Sequence, residues 1–141
     1  MNALKKNRTL TSIIVLALMV SACASFVKTS YQTLYSVATV VDTARKTYND
    51  FYKKGDVSPE LALKVEKAYM TYQGAMTLAV NSVRFYQEKQ KAGEKISPAA
   101  ANASITVAQD AVNLLLNVFT EAGVPKQYPV TIEKVDPLPA N

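Results

Sequence analysis

The chain has 141 residues, room for one small domain once a targeting segment is set aside. It holds no histidine, no tryptophan and one cysteine, which removes the commonest general base and metal ligand together and leaves no internal disulfide. The formal charge is +5, but Lys5, Lys6 and Arg8 stand together ahead of an apolar run, so the remainder carries only about +2 and shows no basic patch with interleaved aromatics; nucleic acid is not an expected partner.

Residues Leu10 to Cys23 read Leu-Thr-Ser-Ile-Ile-Val-Leu-Ala-Leu-Met-Val-Ser-Ala-Cys. A basic head, a short apolar core and small residues before the cysteine fit an export signal, and the run falls short of the ~20 apolar residues of a comfortable membrane span. The segment Val20-Ser21-Ala22-Cys23 resembles the lipobox of bacterial lipoproteins. That resemblance covers the first 23 residues and implies a processing class. Val20, Ser21 and Ala22 would be read by the signal peptidase, and the Cys23 thiol would carry a diacylglycerol, with its new amino group acylated in turn. Each buried CH₂ of such chains is worth ~0.8 kcal/mol, so two or three chains anchor a protein durably. Ala24 stands where inner-membrane retention in enteric bacteria would place aspartate, so the resemblance favours the periplasmic face of the outer membrane. An uncleaved anchor, or an ordinary signal peptide with a chance cysteine, would leave Cys23 without a use.

The expected division is a cleaved signal over 1–22, a lipid-anchored domain over 23–122 and a Pro-rich tail over 123–141. Three punctuation marks organise the domain: Lys53-Lys54-Gly55-Asp56-Val57-Ser58-Pro59-Glu60, Lys91-Ala92-Gly93-Glu94-Lys95-Ile96-Ser97-Pro98, and the shorter Glu121-Ala122-Gly123-Val124-Pro125. In the first two, lysines complement the negative end of a helix and glycine takes the left-handed cap. Serine then caps the next helix and proline suits its first position, where no amide donor is missed.

Between the marks the apolar period is helical. Helix 1, about Phe26 to Lys54, carries Val27, Tyr31, Leu34, Ala38, Val41, Arg45, Tyr48 and Tyr52 on one seam. Helix 2, Pro59 to about Lys91, carries Leu61, Val65, Ala68, Tyr72, Met76, Ala79, Val83 and Tyr86. Helix 3, Pro98 to about Ala122, carries Ala101, Ile105, Ala108, Val112, Leu115, Phe119 and Ala122. Short turns bring neighbours back on one another, so the fold class is all-α: an up-down-up antiparallel three-helix bundle with an extended Pro-rich C-terminal tail. Helix 2, which serves both neighbours, is expected at its centre.

Apolar residues also stand off the seams: Leu63, Met70, Leu78 and Phe85 on helix 2, and Val107, Ala111, Leu114, Val118 and Leu116 on helix 3. A closed three-helix bundle needs wide stripes, so the core is expected to absorb most of this surplus. Whatever it leaves outside would form a dimer face or a partner groove. Among the tyrosines, Tyr35 and Tyr69 fall off the seams. The candidate interface is therefore Tyr35, Leu63, Tyr69, Met70, Leu78, Phe85 and Leu116.

Arg45, a charge on a seam, is expected to lay its stem over Ala68 and keep its head in water. Asp110 and Glu121 lie ~16 Å apart by helix rise, too far for an acid–base pair within one helix. No catalytic constellation and no metal site is expected, and no cofactor beyond lipid on Cys23. The tail has four prolines and only one short extended stretch, Val130-Thr131-Ile132, which would lie along the bundle or add to a partner. The functional expectation is a non-enzymatic, membrane-anchored accessory subunit of the cell envelope, with an envelope protein or a second copy as partner. The alternative is a bundle that binds a lipid or glycan fragment in a cavity lined by Met70, Leu78 and Leu114.

Overall fold

A computed structural model describes the backbone of residues 3–125 and the side chains of residues 26–125. Over that range the protein is all-α, with three helices, α1 (Ala3–Lys54), α2 (Pro59–Lys91) and α3 (Ala99–Glu121), each packed on the other two. Val20, Ser21, Ala22 and Cys23 fall in the helical backbone of α1, with side chains outside the described residues; the Val130-Thr131-Ile132 stretch lies outside them altogether.

The first helix starts at Ala3 rather than near Phe26. No glycine or proline interrupts residues 3–54, so nothing in the backbone marks the junction between the expected signal and the domain.

All three helices end in the same device. Gly55, Gly93 and Gly123 take φ of 80°, 78° and 88°. Each glycine N–H donates to the carbonyl three residues back, and the next amide donates to the carbonyl five back, as in Asp56 to Phe51 at 3.1 Å, Glu94 to Lys89 at 3.0 Å and Val124 to Phe119 at 3.0 Å. This paired bond satisfies carbonyls that the helix end would otherwise leave open, and it requires a left-handed residue. The third copy also reaches into the core, because Val124 is buried beside the cluster that holds Phe119. The expected tail thus begins later than residue 123: Gly123 and Val124 belong to the cap and the core.

Helix starts follow their serines. The Ser58 hydroxyl accepts from the Leu61 amide at 3.2 Å, with Pro59 in the first turn. At α3 the boundary moves by one residue. Pro98 (φ −73°, ψ 0°) occupies the cap position, and the Ser97 hydroxyl accepts from the Ala99 amide at 3.2 Å. A serine bonding two residues onward makes a turn rather than a full helix cap.

Burial tests the seams. On α3 all seven expected positions are buried, with Ala111 and Val118 beside them. On α2 the buried row is Val65, Ala68, Tyr72, Ala75, Ala79, Val83 and Tyr86. Only Ala75 was unexpected, with Leu61 and Met76 left half-buried at the edge. On α1 the core row is Phe26, Ser30, Leu34, Val37, Val41, Ala44 and Tyr48. That row is turned by one residue from the expected one: Tyr31 and Ala38 are half-buried, and Arg45 and Tyr52 are exposed. Both rows have helical spacing and share Leu34, Val41 and Tyr48, and the expected row took the long Tyr31 and Arg45 where the fold takes Ser30 and Ala44.

Packing is unequal. Helices α2 and α3 meet far more extensively than either meets α1. Their buried faces are rich in alanine: Ala68, Ala75 and Ala79 on α2, and Ala101, Ala108 and Ala111 on α3. Small side chains let two helix axes come to the near end of the usual 8–10 Å separation. Helix α1 offers Phe26, Leu34, Val37, Val41 and Tyr48 with Ser30 and Ala44 as its small buried residues, and it meets each neighbour less extensively. Three contacts give the α1 register: Phe26 against Tyr86 at 5.1 Å, Tyr48 against Phe119 at 5.4 Å, and Arg45 over the Tyr69 ring at 3.9 Å.

Ala79, fully buried on α2, tests the close approach. Ala79→Leu should lower stability by about 1–3 kcal/mol, as overpacking does, in a thermal or urea melt; a neutral result would mean slack between the helices. Ser30 is fully buried and its hydroxyl has no hydrogen-bond partner. Nine other helical serines and threonines donate to the carbonyl four residues back, a bond that Ser30 does not make. An unsatisfied hydroxyl costs about 1–3 kcal/mol, so Ser30→Ala should raise the melting temperature; a fall would reveal a partner for that hydroxyl.

Candidate functional site

The off-seam apolar residues do not all enter the core. Ala111 and Val118 are buried, but Leu63, Met70, Leu78, Phe85, Val107 and Leu114 are each more than half exposed. Their placement follows from two cross-helix contacts. Lys64 on α2 pairs with Glu121 on α3, and the Ser82 and Ser104 hydroxyls meet at 2.9 Å. Residues seven apart share a helix face, so Lys64, Thr71, Leu78 and Phe85 form one row on α2, while Glu121, Leu114 and Val107 form one on α3. Counting from the Lys64–Glu121 contact sets Thr71 level with Leu114, Leu78 level with Val107 and Phe85 level with Ala100. Leu63 and Met70, one residue off that row, point about 100° away from it, onto the face of α2 opposite the buried one. Leu78, Phe85, Val107 and Leu114 therefore make one band along the outer edge of the α2–α3 seam, about 10 Å from Leu78 to Phe85 by helix rise.

The band is a consequence of the alanine seam. Where two helices approach closely, only a narrow central stripe is hidden, and larger residues one step to the side stay at the rim. Isolated exposed apolar residues need no explanation, but a continuous row of them marks a surface with a use.

The other candidates separate. Tyr35, at 75% exposure, points away from the core on α1 and stands apart from the band. Leu116 is half-buried against the core. Tyr69 is half-buried and engaged: the Arg45 guanidinium lies 3.9 Å over its ring and donates to its hydroxyl, and the Tyr72 ring sits 5.7 Å away. Arg45 thus has an aromatic partner across the α1–α2 contact instead of simply covering Ala68; such a stack is worth about 0.5–1 kcal/mol at an exposed site. Val107 and Leu114, absent from the expected interface, belong to the band. Their sequence signal was a second apolar stripe on helix 3, which could equally have faced inward.

Glu121 is committed to Lys64, and among the described residues no group of three or more His, Cys, Asp or Glu gathers as a metal ion would require. Met70, Leu78 and Leu114 open onto the outer surface rather than lining an interior cavity. Among the described residues no helix is long and apolar enough to cross a membrane. No protein family, no curated protein and no solved structure matches this chain.

Two tyrosines have perturbed acidities. Burial pushes the Tyr72 hydroxyl up from 10.0 to about 12, helped by the nearby Asp42 carboxylate and by Tyr69. Burial also raises Tyr48, with smaller contributions from Tyr52 and Glu66. A tyrosine whose folded pKa is raised contributes stability that is complete below the unfolded value and is lost as pH rises through the folded one. Stability should therefore fall between pH 10 and about 12 as the unfolded chain ionises first. Tyr72→Phe should flatten that fall by about 2 kcal/mol over the window, read from melting temperatures against pH. An unchanged slope would place the Tyr72 hydroxyl in water.

Proposed function

We propose that the protein is a lipid-anchored accessory subunit of a bacterial cell envelope, held at the membrane through Cys23 and binding a protein partner with the α2–α3 band. In this reading the domain is an up-down-up antiparallel three-helix bundle. The contacts that pair Lys64 with Glu121, Ser82 with Ser104, and Phe26 with Tyr86 support that arrangement. The anchor rests on the lipobox-like Val20-Ser21-Ala22-Cys23, cleaved before Cys23, with the outer membrane's periplasmic face as its location and the residues after Pro125 as an extended tail. The role is non-enzymatic and asks for no cofactor besides the covalent lipid.

The observation that carries the reading is the band: four exposed apolar residues, Leu78, Phe85, Val107 and Leu114, in register on two helices, on an edge that the third helix leaves uncovered. Partner interfaces place such apolar anchors at their centre with a polar rim, and here Lys64, Glu121, Ser82 and Ser104 supply polar groups along the edge. A lipid or glycan ligand is a second reading. The outward aim of Met70, Leu78 and Leu114 weighs against it, because a small ligand there would stay largely in water.

The test is photo-cross-linking in cells from Leu78, Val107 and, as a control off the band, Tyr35, followed by mass spectrometry. One protein, an envelope component or a second copy, should be trapped from the two band positions and not from Tyr35. Equal products from all three positions, or only lipid or glycan on the band, would overturn the docking assignment. Separately, the peptide that begins at Cys23 should carry the mass of its acyl chains, and Cys23→Ser should release the protein from membranes.

A further inference from the structure

The charges are not spread evenly along the domain. The Phe26–Tyr86 contact puts the start of the anchored domain beside the C-terminal end of α2 and the turn that follows. Cys23 precedes Phe26 by less than one helical turn. Around that end stand Lys28, Arg84, Lys89, Lys91 and Lys95 against only Glu88 and Glu94, a net of +3. The first turns of α3, at the same end, carry no charge. The opposite end carries Lys53, Lys54, Lys64 and Lys67 against Asp50, Asp56, Glu60, Glu66 and Glu121, a net of −1. Asp42, Arg45, Lys46 and Asp110 cancel in between. The whole positive excess of the described domain therefore sits at the end nearest Cys23.

Both acids at that end are already engaged. Glu94 accepts from Lys89 at 2.9 Å, and Glu88 lies 3.9 Å from Arg84. Lys28, Lys91 and Lys95 remain as exposed cations without an ion-pair partner among the described residues. Exposed Phe85 lies among them, with the Lys89 ammonium 5.6 Å from its ring centroid. Cations around an exposed aromatic ring suit the headgroup layer of a bilayer, where a phenyl ring can enter the acyl boundary and ammonium groups can meet phosphates.

We propose that this end of the domain lies directly on anionic phospholipid headgroups, with Lys28, Lys91 and Lys95 as the phosphate-facing contacts. The proposal rests on the lipid-anchor reading for its geometry and adds to it an orientation. An acyl anchor alone leaves a domain free to tumble at the end of a short leader. A basic end face stands the helices along the membrane normal and turns the α2–α3 band sideways, parallel to the surface normal and open to a neighbour. Attraction to a headgroup layer fades over a Debye length, about 8–10 Å near physiological salt, so only residues at this end contribute.

The experiment is lysine footprinting of the protein extracted from membranes with its native modification. It would be reconstituted in vesicles of phosphatidylcholine alone, or with about three parts in ten phosphatidylglycerol. Reductive methylation with uncharged formaldehyde and borane reads each lysine by mass spectrometry. Lys28, Lys91 and Lys95 should react roughly fivefold more slowly in the anionic vesicles. Lys53, Lys54 and Lys67, at the far end, should not change. The protection should vanish in about 1 M salt, where the Debye length falls to about 3 Å. Equal reactivity in both vesicles, or protection that is the same with neutral lipid, would overturn the proposal. The mass of the Cys23 peptide is read in the same digest. If it carries no lipid the anchor reading fails, and the protection ratio of the same chain mixed with the two vesicles still decides the headgroup contact.

Discussion

The close approach of α2 and α3 along a seam of alanines is the constraint on which the other features depend. Ala68, Ala75 and Ala79 are buried on α2 and Ala101, Ala108 and Ala111 on α3, the two helices that meet most extensively. A narrow interface hides little apolar area per residue. Bulk is supplied by Val112, Leu115 and Phe119 on one side and Val83 on the other, all nearly or fully buried. Burying each is worth about 1.5–3 kcal/mol. The Lys64–Glu121 pair across the same seam has both side chains about half exposed, and such pairs are worth about 0–1 kcal/mol. Packing therefore holds α2 to α3, and the ion pair marks register more than it stabilises.

The same narrowness shapes the surface. Leu78 and Val107 sit level on the two helices, yet neither is drawn inside, because the alanines between them have already closed the gap. Helix α1 covers the other side and does not reach this edge. Its own contacts are those of larger residues, Tyr48 with Phe119 and Phe26 with Tyr86, together with the Arg45–Tyr69 stack.

Charge and apolarity divide the surface between two tasks. In the proposed reading the basic end lies next to the lipid attachment, and the apolar band shares Phe85 with it and runs lengthwise away. Neither overlaps the core, and neither involves the perturbed Tyr48 and Tyr72, whose raised pKa values reflect burial of rings that stabilise the bundle.

Much was legible before any coordinates. The glycines and serines that end and begin helices act through local backbone geometry, so Gly55, Gly93, Ser58 and the bounds of α2 follow from a few neighbouring residues. The α3 seam was equally legible, because its apolar residues repeat strictly and its polar residues fall between them. What the sequence left open was set by distance between helices. On α1 two rows of helical period compete, and only the neighbours decide that Ser30 and Ala44 turn inward while Arg45 and Tyr52 turn out. For the surplus residues of α2 and α3, periodicity cannot tell a wide buried stripe from a buried stripe with an apolar rim. That choice belongs to the tertiary structure, since it depends on how closely two helices approach, and alanines from segments far apart in the chain set that distance.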